Sequence, residues 1–379
     1  MRYENAMVYG PDFRFHKGGF SVEDGRFCNV LSATGEPGTD LENAYVIPGL
    51  IDIHNHGNSG QDFSDGDAKG LETIARYLAS NGVTSFAPAS MTLPEEQLTA
   101  AYQNATAFVK CAPDGCSVLR GIHMEGPFFS EKKKGAQNGA YLKKPDIEVF
   151  FRLNKAADGL IKIADLAPEL PGSIDYIREI SKVCTVSIAH TEANYEQAKA
   201  AIEAGVTHVT HLFNVMPPFL HRAPGVVGAA AESPSVRAEL ICDGMHVHES
   251  VVRAAFSMFG AERLCLVSDA LSCCGMPNGE YMLSGQRIFL EGTVARLVDA
   301  PDTLAGSANN LFGIFRLGLS FGIPIEAAVR MVSYTPACVI GAEGEVGSID
   351  NGKRADFLVL GGDFSLQRVF LGGAELRRN

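Results

Sequence analysis

Two histidines one residue apart, His54 and His56, close the apolar stretch in PGLIDIHNHG. On a strand, residues i and i+2 point to the same side, so both imidazoles converge where the strand stops. Convergent imidazoles hold divalent cations; two surface histidines at a loop mouth would have the same spacing. Other apolar runs end in similar fashion. HMEGPFF carries Glu125, SIAHT ends in His190, HVTHLFN carries His211 and Asn214, CDGMHVH carries His246, and VSDALS carries Asp269. Singly, each has an ordinary explanation, because loop mouths favour polar groups and an Asp can cap a helix. Together, His54, His56, His190, His211, Glu125 and Asp269 form a ligand set suited to zinc or another borderline divalent metal. Iron, cobalt and manganese accept the same donors.

Three further histidines are set aside. His208 lies three residues before His211, so strand alternation turns it toward helices or solvent. His16 has no partner nearby in sequence, and His248 is expected to cap the helix that follows it.

The elements that must position these residues alternate in type. Eight β-like runs lie between Val46 and Asp269: VIPGLIDI, VTSFAPAS, SVLRGIHM, LIKIADLA, CTVSIA, HVTHLF, RAELICD and RLCLVSD. Most gaps between them carry helical periodicity, as in AKGLETIARYLASNG and EANYEQAKAAIEAG. Strands alternating with helices predict a (β/α)8 TIM-like barrel, whose strand C-termini carry the chemistry. No G-x-G-x-x-G or P-loop follows a strand, which argues against a doubly wound sheet. The barrel is expected over residues 48–340. Residues 1–47, with a hairpin turn at Asp24-Gly25, and residues 341–379 are expected to pair into a small β-sandwich domain.

The 379 residues carry a net charge of −12, which argues against nucleic acid and anionic membranes as partners. An anionic small molecule would need local cations. The first twenty residues contain no apolar signal core, and no apolar run reaches transmembrane length. Nine cysteines are scattered with no C-x-x-C pair, which predicts reduced thiols in a cytoplasmic enzyme. The adjacent Cys273 and Cys274 are read as core thiols.

The H-x-H of the first strand, the histidines of the fifth and sixth, the Asp of the eighth and the late motif Gly347–Phe357 resemble the amidohydrolase superfamily across nearly the whole chain. The segments HMEGPFF, KKKGAQN, AHTEA, THLFNVMPP, CDGMHVH, LVSDAL and LAGS are similar to the N-acetylglucosamine-6-phosphate deacetylase family within it. That resemblance implies a metal-dependent hydrolase that releases acetate from an amino-sugar phosphate; the galactosamine epimer is the alternative substrate. It implies one or two ions, Glu125, His190 and His211 binding the principal one. His54 and His56 would hold a second, with Asp269 and Glu125 shared. Asp269 would be the catalytic base. Gln137, Asn214, Val215, Arg222 and His246 match contacts to sugar and phosphate, Val215 standing where many members have Ala. Leu304, Ala305 and Gly306 match a loop closing over the sugar. A homodimer with a shared active site is implied as well. A cyclic amidase is the rival, but the carboxylated lysine of hydantoinase-like relatives has no counterpart here. Lys162 lies near the start of its strand, away from the mouth, and Glu125 can take the anionic role. A pure binding protein would have no need of Asp269.

Overall fold

A computed structural model describes residues 1–32, 37–283 and 285–377. Eight parallel strands succeed one another: β1 Leu50–Asp52, β2 Val83–Phe86, β3 Ile122–Phe128, β4 Ile161–Leu166, β5 Thr185–Ile188, β6 His208–Val209, β7 Arg237–Ile241 and β8 Leu264–Val267. Strands β3 to β8 pair in sequential order, and β1 pairs with β2. Parallel bridges Ala89–His123 and Asn55–Ala270 join the two sheets into a ring. The fold is a (β/α)8 barrel.

A helix follows each strand, from Ala68–Ser80 after β1 to Leu311–Ser320 after β8. The first shows the local logic. Asp67 caps it by accepting from the Gly70 N–H, and its buried Leu71, Ile74, Ala75 and Leu78 fall on one face at helical spacing. That stripe packs into the main core with Val83, Phe86 and Leu98. Among the described residues no helix is long and apolar enough to cross a membrane.

The run VIPGLIDI serves two sheets. Tyr45–Pro48 pairs antiparallel with Phe357–Leu360, whereas Leu50–Asp52 pairs parallel with β2. Gly49 makes the crossing, and a Cβ there would collide with the Thr84 side chain. Strands from both chain ends form one sheet of eight strands. It cannot be flat. Phe27 and Phe357 lie on strands four positions apart in the order, roughly 19 Å at ordinary strand spacing, yet their rings are 5.9 Å apart. The sheet therefore curls over an aromatic core of Tyr3, Phe20, Phe27, Phe357 and Phe370. The hairpin turn falls at Asp24 and Gly25, both with positive φ.

One element is absent from the sequence reading. Between β8 and the eighth helix an antiparallel sheet of four strands is inserted, Gly279–Leu283, Gln286–Glu291, Val294–Leu297 and Ala300–Ser307. Leu304, Ala305 and Gly306 thus lie on a strand, not in a loop. Their segment is held by pairing to Val294–Leu297, with register shifts that bend it.

Phe357→Ala should cost about 3–5 kcal/mol, the range for emptying a buried aromatic site, because Phe357 is 0% exposed and touches four other rings. Urea unfolding followed by circular dichroism measures it. Phe289→Ala, at a 47% exposed position, should change stability by less than about 0.5 kcal/mol.

Candidate metal centre

Glu125 is the hub of the site. It sits on β3, 2% exposed, with imidazoles on several sides. His190 Nε2 lies 3.1 Å and His211 Nε2 3.3 Å from its Oε1. His54 Nε2 is 3.7 Å from the same oxygen, and His56 Nε2 is 3.3 Å from Oε2. Asp269 completes the ring, its Oδ1 3.5 Å from His54 Nε2 and 3.4 Å from His56 Nε2. Two groups of three donors result, Glu125 with His190 and His211, and His54 with His56 and Asp269.

Strand ends deliver these side chains by leaving regular geometry. His190, His211 and Asp269 all have left-handed backbone, with φ of 45°, 30° and 46°. Each costs of order 1–3 kcal/mol, and all three turn toward the barrel mouth. The rings are oriented from behind. His190 Nδ1 bonds the Lys133 carbonyl at 2.9 Å, and His56 Nδ1 bonds the Ala89 carbonyl at 3.1 Å. A ring donating through Nδ1 presents Nε2 as a ligand.

The donors fit a cation. The Nε2 atoms of His190 and His211 face each other at 3.2 Å while both face Glu125. His54 Nε2 is buried without a hydrogen-bond partner. Burial opposes charge on His211, but the Glu125 carboxylate outweighs it and pushes the pKa up to about 9. Burial likewise opposes the charged form of His56, which Asp269 and Glu125 nevertheless hold well above the usual histidine range. The same contacts work on the acids. Burial favours neutral Glu125, yet hydrogen bonds from His190, His211 and His56 keep it well below the usual carboxylate range. Asp269 is lowered too, burial being overcome by the charge of His54 and the hydrogen bond from His56.

Above the donors opens a cavity of about 230 Å³. Its wall includes Gln137, Asn214, Val215 and His246, and the inserted strand contributes Leu304, Ala305 and Gly306. His246 is aimed by Asp243, whose Oδ2 takes Nδ1 at 2.7 Å, leaving Nε2 for the cavity. Gln137 is committed inward. It donates to Glu125 Oε2 at 2.7 Å and accepts from the Thr92 N–H at 2.7 Å. Arg222 is not brought to this cavity by its own chain. It is exposed, at the end of a hairpin bridged by Leu220 and Ala223.

Two expectations about the histidines set aside need correction. His208 faces neither helices nor solvent; it is fully buried, its Nδ1 3.0 Å from Ser187 Oγ and its Nε2 3.8 Å from Glu239. Alternation fails because β6 is only two residues long and the chain turns before His211. His16 does have a partner four residues away, Asp12, at 2.9 Å. His248 caps its helix, accepting from the Ser250 N–H.

The sequence reading passed over a buried polar layer beneath the donors. Glu239 on β7 bonds His54 Nδ1 at 2.7 Å, and His123 bonds Asp165 at 2.9 Å. Burial raises the Glu239 pKa, but the charges of His54 and His123 bring it down to about 2. The available signal was a carboxylate inside the apolar run RAELICD. Asp302, also missed, lies on the cavity wall.

Comparison with known proteins agrees with this geometry. A family model for the amidohydrolase family matches residues 45–376. The N-acetylglucosamine-6-phosphate deacetylase of Vibrio furnissii is 35% identical over 357 residues, covering 93% of this chain and 88% of that protein. The N-acetylgalactosamine-6-phosphate deacetylase of Escherichia coli O157:H7 is 31% identical, with 88% of each chain covered. A solved mutant of the Mycobacterium smegmatis N-acetyl-D-glucosamine-6-phosphate deacetylase, in complex with N-acetyl-D-glucosamine-6-phosphate, matches with a TM-score of 0.93 at 29% identity over 99% of both chains. The chain belongs to the amidohydrolase family and, within it, to the N-acetylglucosamine-6-phosphate deacetylases.

Proposed function

We propose that this chain hydrolyses the acetamide of N-acetyl-D-glucosamine 6-phosphate to glucosamine 6-phosphate and acetate, with one or two divalent ions per subunit. The carrying observation is the convergence of six candidate metal donors under a small cavity, in a chain with these relatives. Glu125, His190 and His211 would hold the principal ion, and His54, His56 and Asp269 a second. Zinc suits the imidazole and carboxylate donors first. Such an ion, when bound, would lower the pKa of a water to near ~7 and supply Lewis acidity at the acetamide.

The chain's own residues do the rest. Asp269 is ionised and its side chain is 12% exposed, so it can meet a water in the cavity. As water oxygen bonds the carbonyl carbon, Asp269 takes the released proton. It then delivers that proton to the sugar nitrogen as the C–N bond breaks. His246, held through Nδ1 by Asp243, faces the sugar from the cavity wall; Gln137, committed to Glu125, instead steadies the metal ligand. Asn214 and Val215 line the sugar side.

The phosphate needs a cation, and among the described residues no Lys or Arg lines the cavity. The hairpin bearing Arg222 exposes Phe219 at 47% and Leu220 at 51%. We assign that hairpin to a homodimer contact through which Arg222 enters the partner's cavity. All nine cysteines are free, which suits a reducing cytoplasm. Acetate release from both hexosamine epimers tests the reading; hydrolysis of the galactosamine epimer alone would replace the substrate, and hydrolysis of neither would end it.

Asp269→Asn should lower kcat at least ~10²-fold, the lower bound for losing a general acid–base group, while the ion bound by Glu125, His190 and His211 stays. Activity above about a tenth of wild type would remove Asp269 from the proton path.

Metal uptake should release protons at pH 7. His211, with a pKa of about 9, and His56, raised well above its usual range, are protonated there and must lose those protons to become ligands. Affinity therefore rises with pH up to about 9 and falls below it. Calorimetry in buffers of different ionisation enthalpy reads the proton count; uptake without release contradicts the assignment.

Arg222→Ala should lower kcat/KM for the phosphorylated sugar at least ~10-fold, since a charge-assisted bond contributes about 1.5–3 kcal/mol. Hydrolysis of the unphosphorylated analogue should change little. An unchanged preference between the two sugars rules this residue out as the anchor. Mixed with Asp269→Asn, the variant should regain partial activity in hybrid dimers.

A further inference from the structure

Glu239 touches both donor groups with a single atom. Its Oε2 accepts from His54 Nδ1 at 2.7 Å and from the His211 backbone N–H at 3.2 Å. Its own backbone carbonyl accepts from the Leu212 N–H at 2.8 Å. The residue is 0% exposed, and its Oε1 has no hydrogen-bond partner. An ionised carboxylate only accepts hydrogen bonds, so His54 must carry its hydrogen on Nδ1. Nε2 is then left bare in the neutral ring, pointing at Glu125 and Asp269.

We propose that Glu239 is a positioning residue: it fixes His54 as the tautomer that presents Nε2 to the second ion, and through His211 it sets the spacing between the two donor groups. The inference rests on the metal reading above. An ion held instead by His54, His123 and Glu239, a third clustered trio, is disfavoured by existing bonds. His123 engages the Ile53 carbonyl through Nδ1 and Asp165 through Nε2, each at 2.9 Å, and His54 Nδ1 already meets Glu239. The His123 ring, 4.6 Å from that of His54 and edge-on, acts as a wall that stops His54 from tilting.

The test uses full-length protein, wild type, Glu239→Gln and Glu239→Ala. The first readout is the imidazole nitrogen shifts of His54 in metal-free protein at a pH where the ring is neutral, assigned by difference from His54→Asn. Wild type should show Nδ1 protonated and Nε2 bare; both variants should show a mixture. The second readout is zinc(II) titration against a competing chelator. Affinity for the second ion should fall ~10–100-fold, the usual effect of losing a carboxylate behind a ligating histidine, with the nearly isosteric Gln variant affected less. The Gln variant carries the test if the Ala variant does not fold. A purely structural carboxylate predicts lower thermal stability with tautomer and second-ion affinity unchanged, and that result overturns the proposal. Wild type that takes up one ion only, while the tautomer still responds to Glu239, removes the second ion but leaves the positioning role standing. Tightened zinc binding or an extra ion in Glu239→Ala overturns it.

Discussion

A carboxylate removed from water at the centre of the molecule is the constraint the rest of the structure answers to. Glu125 is almost completely buried, and an uncompensated buried carboxylate costs several kcal/mol. No single element can surround one with enough partners. A ring of short strands can, because each strand end contributes one side chain to a common point. Glu125 accordingly draws imidazoles from the ends of β1, β5 and β6. Much of the local irregularity serves this arrangement. His190, His211 and Asp269 take left-handed backbone. Gly126, next to Glu125, has φ of 99°, and a Cβ there would collide with Thr92.

The two additions to the barrel are tied to the same point. Gly49 passes the chain directly from the terminal sheet into the strand that carries His54 and His56. The inserted sheet is fastened to the other side. Ser307 donates its N–H to the Asp269 carbonyl and accepts from the Leu271 N–H, both at 2.9 Å. The strand that brings Leu304, Ala305 and Gly306 to the cavity is thus bonded to the backbone that carries Asp269.

The side chains that converge on Glu125 were legible in the sequence because residue type and period coincide. An apolar run that stops at His, Glu or Asp declares both the strand and its end. Where that coincidence failed, so did the reading. His208 was misplaced by extending alternation beyond a strand only two residues long. The inserted sheet has alternating burial in Gln286–Glu291, but a pattern seeking strand then helix had no position for a hairpin pair. Glu239 was hidden for the opposite reason. It lies within an apolar run, and a tally of strand ends does not look for charge inside a strand. Arg222 shows another limit. The motif places it in a site whose described lining, within one subunit, does not include it.

That last point joins the overall charge to the proposed assembly. The chain carries a net charge of −12, its cavity floor holds Glu125 and Asp269, and among the described residues no Lys or Arg lines that cavity. The ions held by the floor would neutralise those carboxylates but would be engaged at the acetamide. In the proposed reading the cation for the phosphate comes from beyond the cavity's described walls. Arg222, on an exposed hairpin with apolar flanks, meets that need only through association. In this proposal the barrel supplies bond cleavage and the dimer supplies recognition. Binding energy from the remote phosphate then helps to align the acetamide over the donors, so catalysis depends on assembly although every donor lies within one subunit.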